Sequence, residues 1–282
     1  MSTTTPKTFF ITGCSSGFGK IFATRLLHQG HHVVATARGQ STLDELKHIA
    51  QNEHQLLVLP LDVTKPEQVK AAVQAAEAKF GRIDVLINNA GYGLFGAFEE
   101  CSTGEIERLF ETNVYGVMNV TREILPIMRR QKHGTIVQMS SIAGLTAMPG
   151  FGLYNASKWA LEGFSEALAG EVVSFGIRVM IVEPGPFRTE FLGRSLSDSP
   201  PLETYREVLA QMRSYMESSN GKQPGDPEKA CDIIIAQAQS DKPPLRLLLG
   251  SVAQERFEAR VKVYEALVTN GAALARSADY AS

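Results

Sequence analysis

Lys7-Thr-Phe-Phe-Ile-Thr12 is a short apolar run, and Gly13-Cys-Ser-Ser-Gly17-Phe-Gly19 follows it directly. The order reads as strand, glycine turn and helix start. Gly13 suits the tight turn, Gly17 lets a phosphate group approach the backbone, and Gly19 lets the new helix pack closely on its strand. Ile21, Phe22, Leu26 and Leu27 give the segment Gly17–Gln29 one apolar face, so a helix there would bring its free N–H groups to the phosphates. An ordinary turn is the competing reading of the glycines alone.

Outward from this unit, apolar runs recur at Thr8–Thr12, His32–Thr36, Leu56–Leu61, Val85–Asn88, Thr135–Ser140, Arg178–Glu183 and Leu245–Leu249. Helix-length segments or longer ones separate them. That alternation predicts an α/β fold: a single-domain, Rossmann-type, doubly wound parallel sheet of about seven strands with helices on both faces. The rhythm changes between the last two strands. Phe191–Gly225 carries Ser-Pro-Pro at 199–201 and Gly-Lys-Gln-Pro-Gly at 221–225, and between them Leu209, Met212 and Met216 share one helical face. Ligands of open α/β sheets sit beyond the carboxyl ends of the strands, so residues 191–225 are a candidate substrate lid; a peripheral hairpin is the alternative. A helical tail is expected over Gln254–Leu274, and residues 1–6 and about 276–282 are expected to lack structure.

With 282 residues, 44% of them hydrophobic, the chain can bury a full core. The formal charge is −2, and the one dense basic cluster, Arg129-Arg130-Gln-Lys132-His133, closes a predicted helix, where cations complement the dipole. Nucleic acid is therefore not an expected partner. Cys14, Cys101 and Cys231 are far apart and form no C-x-x-C pair, which fits a reducing compartment and no structural metal. No charged leader precedes an apolar core, and no run approaches the roughly 20 residues that span a bilayer. A cytoplasmic protein without a membrane partner is the expectation.

Tyr154-Asn-Ala-Ser-Lys158 places a phenol and an ammonium four residues apart, on one face if the segment is helical. Held about 4 Å away at an effective dielectric near 20, the lysine would favour the phenolate by about 4 kcal/mol. Such a tyrosine would serve as general acid or base near neutrality. An exposed pair without chemistry is the bland reading of the segment by itself.

Taken together, these segments resemble the short-chain dehydrogenase/reductase family over nearly the whole chain. Thr12-Gly-Cys-Ser-Ser-Gly-Phe-Gly19 is similar to the family's T-G-x-x-x-G-x-G loop, and Asn88-Asn-Ala-Gly91 to its N-N-A-G. Ser141 stands thirteen residues before Tyr154, the family's usual serine spacing, and Asn113 falls where the family keeps a catalytic asparagine. The resemblance implies a catalytic set of Asn113, Ser141, Tyr154 and Lys158. Tyr154 would exchange a proton with the substrate oxygen, Ser141 would hydrogen-bond that oxygen, Lys158 would bind ribose and lower the phenol pKa, and Asn113 would anchor a water leading to Lys158. Ser140 is the rival for the serine role. It further implies a cofactor site made by Gly13, Ser15, Ser16, Gly17, Phe18 and Gly19, by Arg38, Asp62 and Val63, by Asn89, Ala90 and Gly91, and by Pro184, Gly185, Phe187 and Thr189, besides Tyr154 and Lys158. Asp62 would receive the adenine amino group, with a helix-capping aspartate as its alternative. A homodimer or homotetramer follows from the same resemblance.

Cofactor choice turns on Val33-Val34-Ala35-Thr36-Ala37-Arg38. An NAD site would carry an acidic residue there for the ribose 2′-OH, whereas Arg38 offers a planar cation to a 2′-phosphate. NADP is therefore expected, although Ser16 stands where some NADP-using relatives carry a basic residue. His31-His32 lacks any partner at ligand spacing and reads as a turn, and Cys14 reads as a packing residue. Phe95, Phe98, Phe151, Phe187 and Phe191 divide between pocket and core. The expected activity is hydride transfer between NADP(H) and a medium-sized hydrophobic or cyclic ketone, aldehyde or alcohol. The alternatives are an NAD-preferring dehydrogenase of the same kind, a nucleotide-sugar epimerase or dehydratase, and a non-catalytic nucleotide sensor.

Overall fold

Nine strands and nine α-helices are present among residues 5–280, the part of the chain that the computed structural model describes. In chain order the strands are β1 (Thr8–Ile11), β2 (His32–Ala37), β3 (Leu56–Pro60), β4 (Val85–Asn88), β5 (Gly93–Phe95), β6 (Gly134–Met139), β7 (Ile177–Pro184), β8 (Leu196–Asp198) and β9 (Arg246–Leu249). The helices are α1 (Gly17–His28), α2 (Asp44–Ile49), α3 (Pro66–Phe80), α4 (Thr103–Phe110), α5 (Gly116–Gln131), α6 (Gly152–Val172), α7 (Arg206–Ser219), α8 (Pro227–Ala238) and α9 (Ser251–Arg276).

Seven strands form one parallel sheet in the order β3-β2-β1-β4-β6-β7-β9. The expected strands are all there, each within a residue or so of its expected bounds. Alternation along β1 assigns the two faces: Phe9 and Ile11 pack with Phe22 and Leu26 of α1 and Ile234 of α8, while Phe10 packs with Val120 and Ile124 of α5 on the other side. Burial of both faces explains why the strands are nearly continuous apolar runs. Chain order reverses between β1 and β4, which opens a crevice at their carboxyl ends.

A second, two-stranded parallel sheet joins β5 to β8. Three-residue strands give no legible periodicity, and neither was expected: β5 lies between the expected fourth and fifth strands and β8 inside the candidate lid. The basic cluster does close α5, with Lys132 in the left-handed conformation at the cap. Of the ends expected to lack structure, residues 1–4 and 281–282 lie outside the described residues. The tail helix begins three residues earlier than expected and runs to Arg276, with Ala253 its one buried residue. No described helix is long and apolar enough to cross a membrane.

Candidate active site

A cavity of about 1140 Å³ lies along the carboxyl edge of the sheet. The glycine loop, Arg38 and Asp62 line one end, and Ser141, Tyr154, Phe191 and Met212 line the other. All the residues proposed from sequence reach its wall except Gly19 and Asn113.

Gly13 and Gly17 both adopt positive φ, +74° and +52°, a region other residues enter at a cost. Ser16 precedes α1 in extended conformation without a side-chain cap, and the first turn holds no acidic residue. The leading N–H groups thus lie unclaimed by side chains, and a Cβ on Gly17 would meet nothing nearer than 3.7 Å. This cradle fits an anionic phosphate. Gly19 acts from behind it: a Cβ there would fall 2.2 Å from Gly13 O. Asn89 fixes the loop, donating from Nδ2 to Thr12 O at 2.9 Å and Gly13 O at 3.0 Å. Thr12 Oγ1 in turn accepts from the N–H groups of Asn89 and Ala90. Asn89 is therefore a loop clamp as well as a wall residue.

At the far end Arg38 is exposed just past β2. Arg108, which the sequence reading overlooked, lines the same end, as does Lys65. Burial raises the Tyr92 phenol pKa, and the nearby Arg108 and Arg38 charges oppose the rise. Asp62 is not a helix cap. Its Oδ1 accepts from the N–H and hydroxyl of Thr64, whereas α3 is entered through Lys65 and Pro66.

At the other end β6 stops at Met139, so Ser140 and Ser141 lie just beyond the strand rather than on it. They still diverge. Ser140 Oγ donates to the buried Glu162 carboxylate, while Ser141 Oγ accepts from Ala143 N at 3.1 Å, donates to Pro184 O at 3.5 Å and lies near enough to the Tyr154 phenol to oppose the rise in its pKa. Tyr154 sits in the first turn of α6, packed on Phe151 and Phe191 at ring separations of 6.2 and 5.4 Å. Lys158 follows one turn later, its Nζ 5.8 Å from the tyrosine ring centre. That ammonium donates to Met139 O at 2.8 Å.

The lysine was expected to pull the phenol pKa down. Burial dominates instead: it pushes Tyr154 up to about 12, with the Ser141 hydrogen bond opposing, and lowers Lys158 to about 8 against the pull of Glu162. Both shifts favour the neutral form, as desolvation must.

Asn113 occupies a π-helical turn, Glu111–Tyr115, between α4 and α5. Its amide donates to Tyr92 O at 2.9 Å and Ser157 Oγ at 3.2 Å, and accepts from Tyr92 N at 3.1 Å. Asn113 and Lys158 converge at Gly91, where an added Cβ would lie 3.1 Å from Asn113 Oδ1 and 3.8 Å from Lys158 Nζ. Such single-turn π-bulges gather at functional sites, and nothing in the local sequence marks this one.

α7 covers the tyrosine end. Leu209 is buried with Phe95, Phe151 and Tyr154, and Met212 and Met216 pack beside it. Arg213 pins the helix, bonding Asp198 at 2.8 Å and stacking on Phe95 at 4.8 Å. Of the five phenylalanines, Phe151, Phe187 and Phe191 line the cavity. Phe95 lies behind the wall, and Phe98 is 75% exposed. Met148 from the loop before α6, Leu196 at the start of β8 and Arg256 of the tail helix complete this end; the sequence reading assigned none of the three to the site.

His31 packs against Phe9 and His32 stacks on Phe80. Cys14 is buried with its thiol pushed up to about 12. Among the described residues no group of three His, Cys, Asp or Glu side chains could hold a metal ion.

A family model described as short chain dehydrogenase matches residues 7–199. The chain is 39% identical to a 3-ketodihydrosphingosine reductase of Bacteroides thetaiotaomicron, covering 89% of this chain and 91% of that protein. Among solved structures, a short-chain dehydrogenase from Streptomyces avermitilis superposes with a TM-score of 0.91 at 38% identity, over 98% of this chain and 100% of that one. ElxO with NADP bound superposes with a TM-score of 0.73 at 27% identity, over 89% and 99%.

Proposed function

Because this chain belongs to the short-chain dehydrogenase/reductase family of oxidoreductases, we propose that it reduces a hydrophobic ketone or aldehyde, or oxidises the corresponding alcohol, with NADP(H). One observation carries the reading: a single cavity runs from an uncapped helix N-terminus to Ser141, Tyr154 and Lys158. When bound, the nicotinamide supplies or takes up the hydride.

The glycine loop holds the phosphates by backbone N–H groups, and Arg38 with Arg108 answers the 2′-phosphate. No acidic residue ends β2 to select a ribose hydroxyl instead. The NADP bound to ElxO supports the same choice. Ser141 donates to the substrate oxygen and fixes it beside the phenol. Tyr154 Oη gives that oxygen its proton. Burial keeps the phenol protonated throughout the neutral range, the state a proton donor needs at the start of reduction. Once a proton has left, a unit positive charge at roughly 6 Å is worth about 3 kcal/mol to the phenolate at an effective dielectric of 20. Lys158 thus acts on the product side of proton transfer, and Asn113 holds the chain beside it.

Met148, Phe151, Phe191, Leu196, Met212 and Met216 offer the substrate an apolar wall, and residues 191–225 act as its lid. A hydrophobic carbonyl suits that wall, and the Bacteroides relative is named for a ketone, 3-ketodihydrosphingosine. The test is absorbance at 340 nm with NADPH and NADH against a panel of long-chain and cyclic ketones, aldehydes and alcohols. Turnover of an apolar carbonyl with NADPH supports the reading. Nucleotide binding without turnover of any panel member points to the sensor alternative.

A further inference from the structure

Behind the tyrosine and lysine lies a charged cluster that the proposed reaction does not use. Tyr154, Lys158 and Glu162 succeed one another at four-residue intervals along α6 and so share one face. Glu162 is buried, its side chain 7% exposed. It accepts from Ser140 Oγ, next to Ser141, and from Arg246 at 2.6 Å. Arg246, on the edge strand β9, also bonds Glu183 at 2.7 Å and the exposed Glu166 at 2.9 Å. Glu183 directly precedes Pro184, whose carbonyl accepts from Ser141.

Two buried carboxylates behind an active site are costly unless held by charge and hydrogen bonds. Here one partly exposed guanidinium serves both, and the cluster's buried cation is Lys158. That ammonium bonds a neutral carbonyl, Met139 O, rather than Glu162, so the carboxylate acts on it through space. Burial drives Lys158 toward its neutral form, and Glu162 is the acidic group that opposes this.

We propose that Glu162, paired with Arg246 and oriented by Ser140, is a positioning residue that serves as counter-charge to the buried Lys158 ammonium during proton transfer at Tyr154. Facing Lys158 are Tyr154 and Glu162 on its own helix; Glu162 in turn meets Arg246 on β9, which also holds Glu183 on β7 and Glu166 at the exposed rim. Removing the Glu162 charge lowers the pH at which Lys158 loses its proton. Neutral Lys158 no longer favours the phenolate, so the alkaline limb of carbonyl reduction moves down with it.

This inference rests on the proposed oxidoreductase chemistry, and the experiment separates the two. The wild-type protein, Glu162→Gln, Glu162→Asp, Arg246→Met and Arg246→Lys are labelled with [ε-¹³C]lysine, and the Lys158 resonance, assigned through Lys158→Arg, is followed against pH. Glu162→Gln retains the shape and an acceptor for Ser140, so it tests charge without emptying the site. Its titration midpoint should fall by at least one pH unit, about a tenfold change in the protonation constant. Glu162→Asp and Arg246→Lys should recover most of the shift, and Glu166→Gln should show none. An unmoved midpoint in Glu162→Gln overturns the proposal, as does a moved midpoint that leaves the pH profile of reduction unchanged. If the wild type turns over no carbonyl, the functional reading fails, while the lysine titration still decides whether Glu162 is its counter-charge.

Discussion

Gly19→Ala tests whether the phosphate cradle depends on the close approach seen behind it. The new methyl would lie 2.2 Å from Gly13 O, 2.8 Å from Gly13 C and 2.6 Å from Asn89 Nδ2. Two of these neighbours are backbone and the third is bonded to Thr12 O and Gly13 O, so none can yield cheaply. Loss of the two Asn89 bonds costs roughly 1 kcal/mol each, and forced overpacking adds about 1–3 kcal/mol. Against this, alanine gains about 1 kcal/mol over glycine in a helix. The net expectation is a destabilisation of about 2–4 kcal/mol, read by urea denaturation, together with at least a tenfold loss of NADPH affinity by fluorescence titration. Gly170→Ala is the internal control. It lies exposed in α6 with nothing within 4 Å of the added Cβ and should stabilise by up to about 1 kcal/mol. A Gly19→Ala protein as stable as wild type that still binds NADPH normally would refute the argument, because the loop would then have yielded freely.

Arg38→Asp puts a carboxylate where the 2′-phosphate is proposed to sit, so the ratio of kcat/KM for NADPH over NADH should fall at least a hundredfold, mostly through weaker NADPH binding; an unchanged ratio removes Arg38 from cofactor choice. Arg213→Ala releases α7 from Asp198 and Phe95, and limited proteolysis within residues 193–225 should quicken in the nucleotide-free protein and slow when cofactor and substrate are added. Equal cutting in both states would mark the segment as a static element. The Glu183 carboxyl, 2% exposed on its side chain, is raised to about 7 from the usual 4.5, first by burial and then by Glu162. A folded pKa above the unfolded one means that this group disfavours folding as pH rises from 4.5 to 7, with the full effect above 7 and none below 4.5. Glu183→Gln should accordingly stabilise the protein at pH 8, on the order of 2 kcal/mol by denaturant titration, and leave stability near pH 4 unchanged; a gain of equal size at both values would point to packing rather than ionisation.

The sheet was legible because its inner strands are buried on both faces and so are written as nearly unbroken apolar runs, Phe9-Phe10-Ile11 being the plainest case. The glycine loop and Tyr154/Lys158 were legible because their geometry depends on fixed local spacing. What stayed hidden is made by distance in the chain. Arg246 reaches Glu162 across 84 residues and Glu183 across 63, and Arg108 joins Arg38 at one cavity end from a different helix. No local periodicity encodes such meetings. The β5–β8 pair is too short for an alternating pattern, and no residue pattern around Asn113 marks its π-turn. The expectation of a lysine-lowered phenol erred for another reason: spacing told how near the charge would be, but the burial that outweighs it depends on Phe151, Phe191 and the α7 helix closing over the ring.

The proton role of Tyr154 is the centre of this account, and Tyr154→Phe tests it most directly. The substitution removes Oη while retaining the ring that packs on Phe151 and Phe191. Initial rates of carbonyl reduction at 340 nm, measured with NADPH affinity on the same preparation, should show a fall of at least about a hundredfold in kcat/KM with binding little changed. A phenylalanine variant that reduces the carbonyl near the wild-type rate would contradict the account.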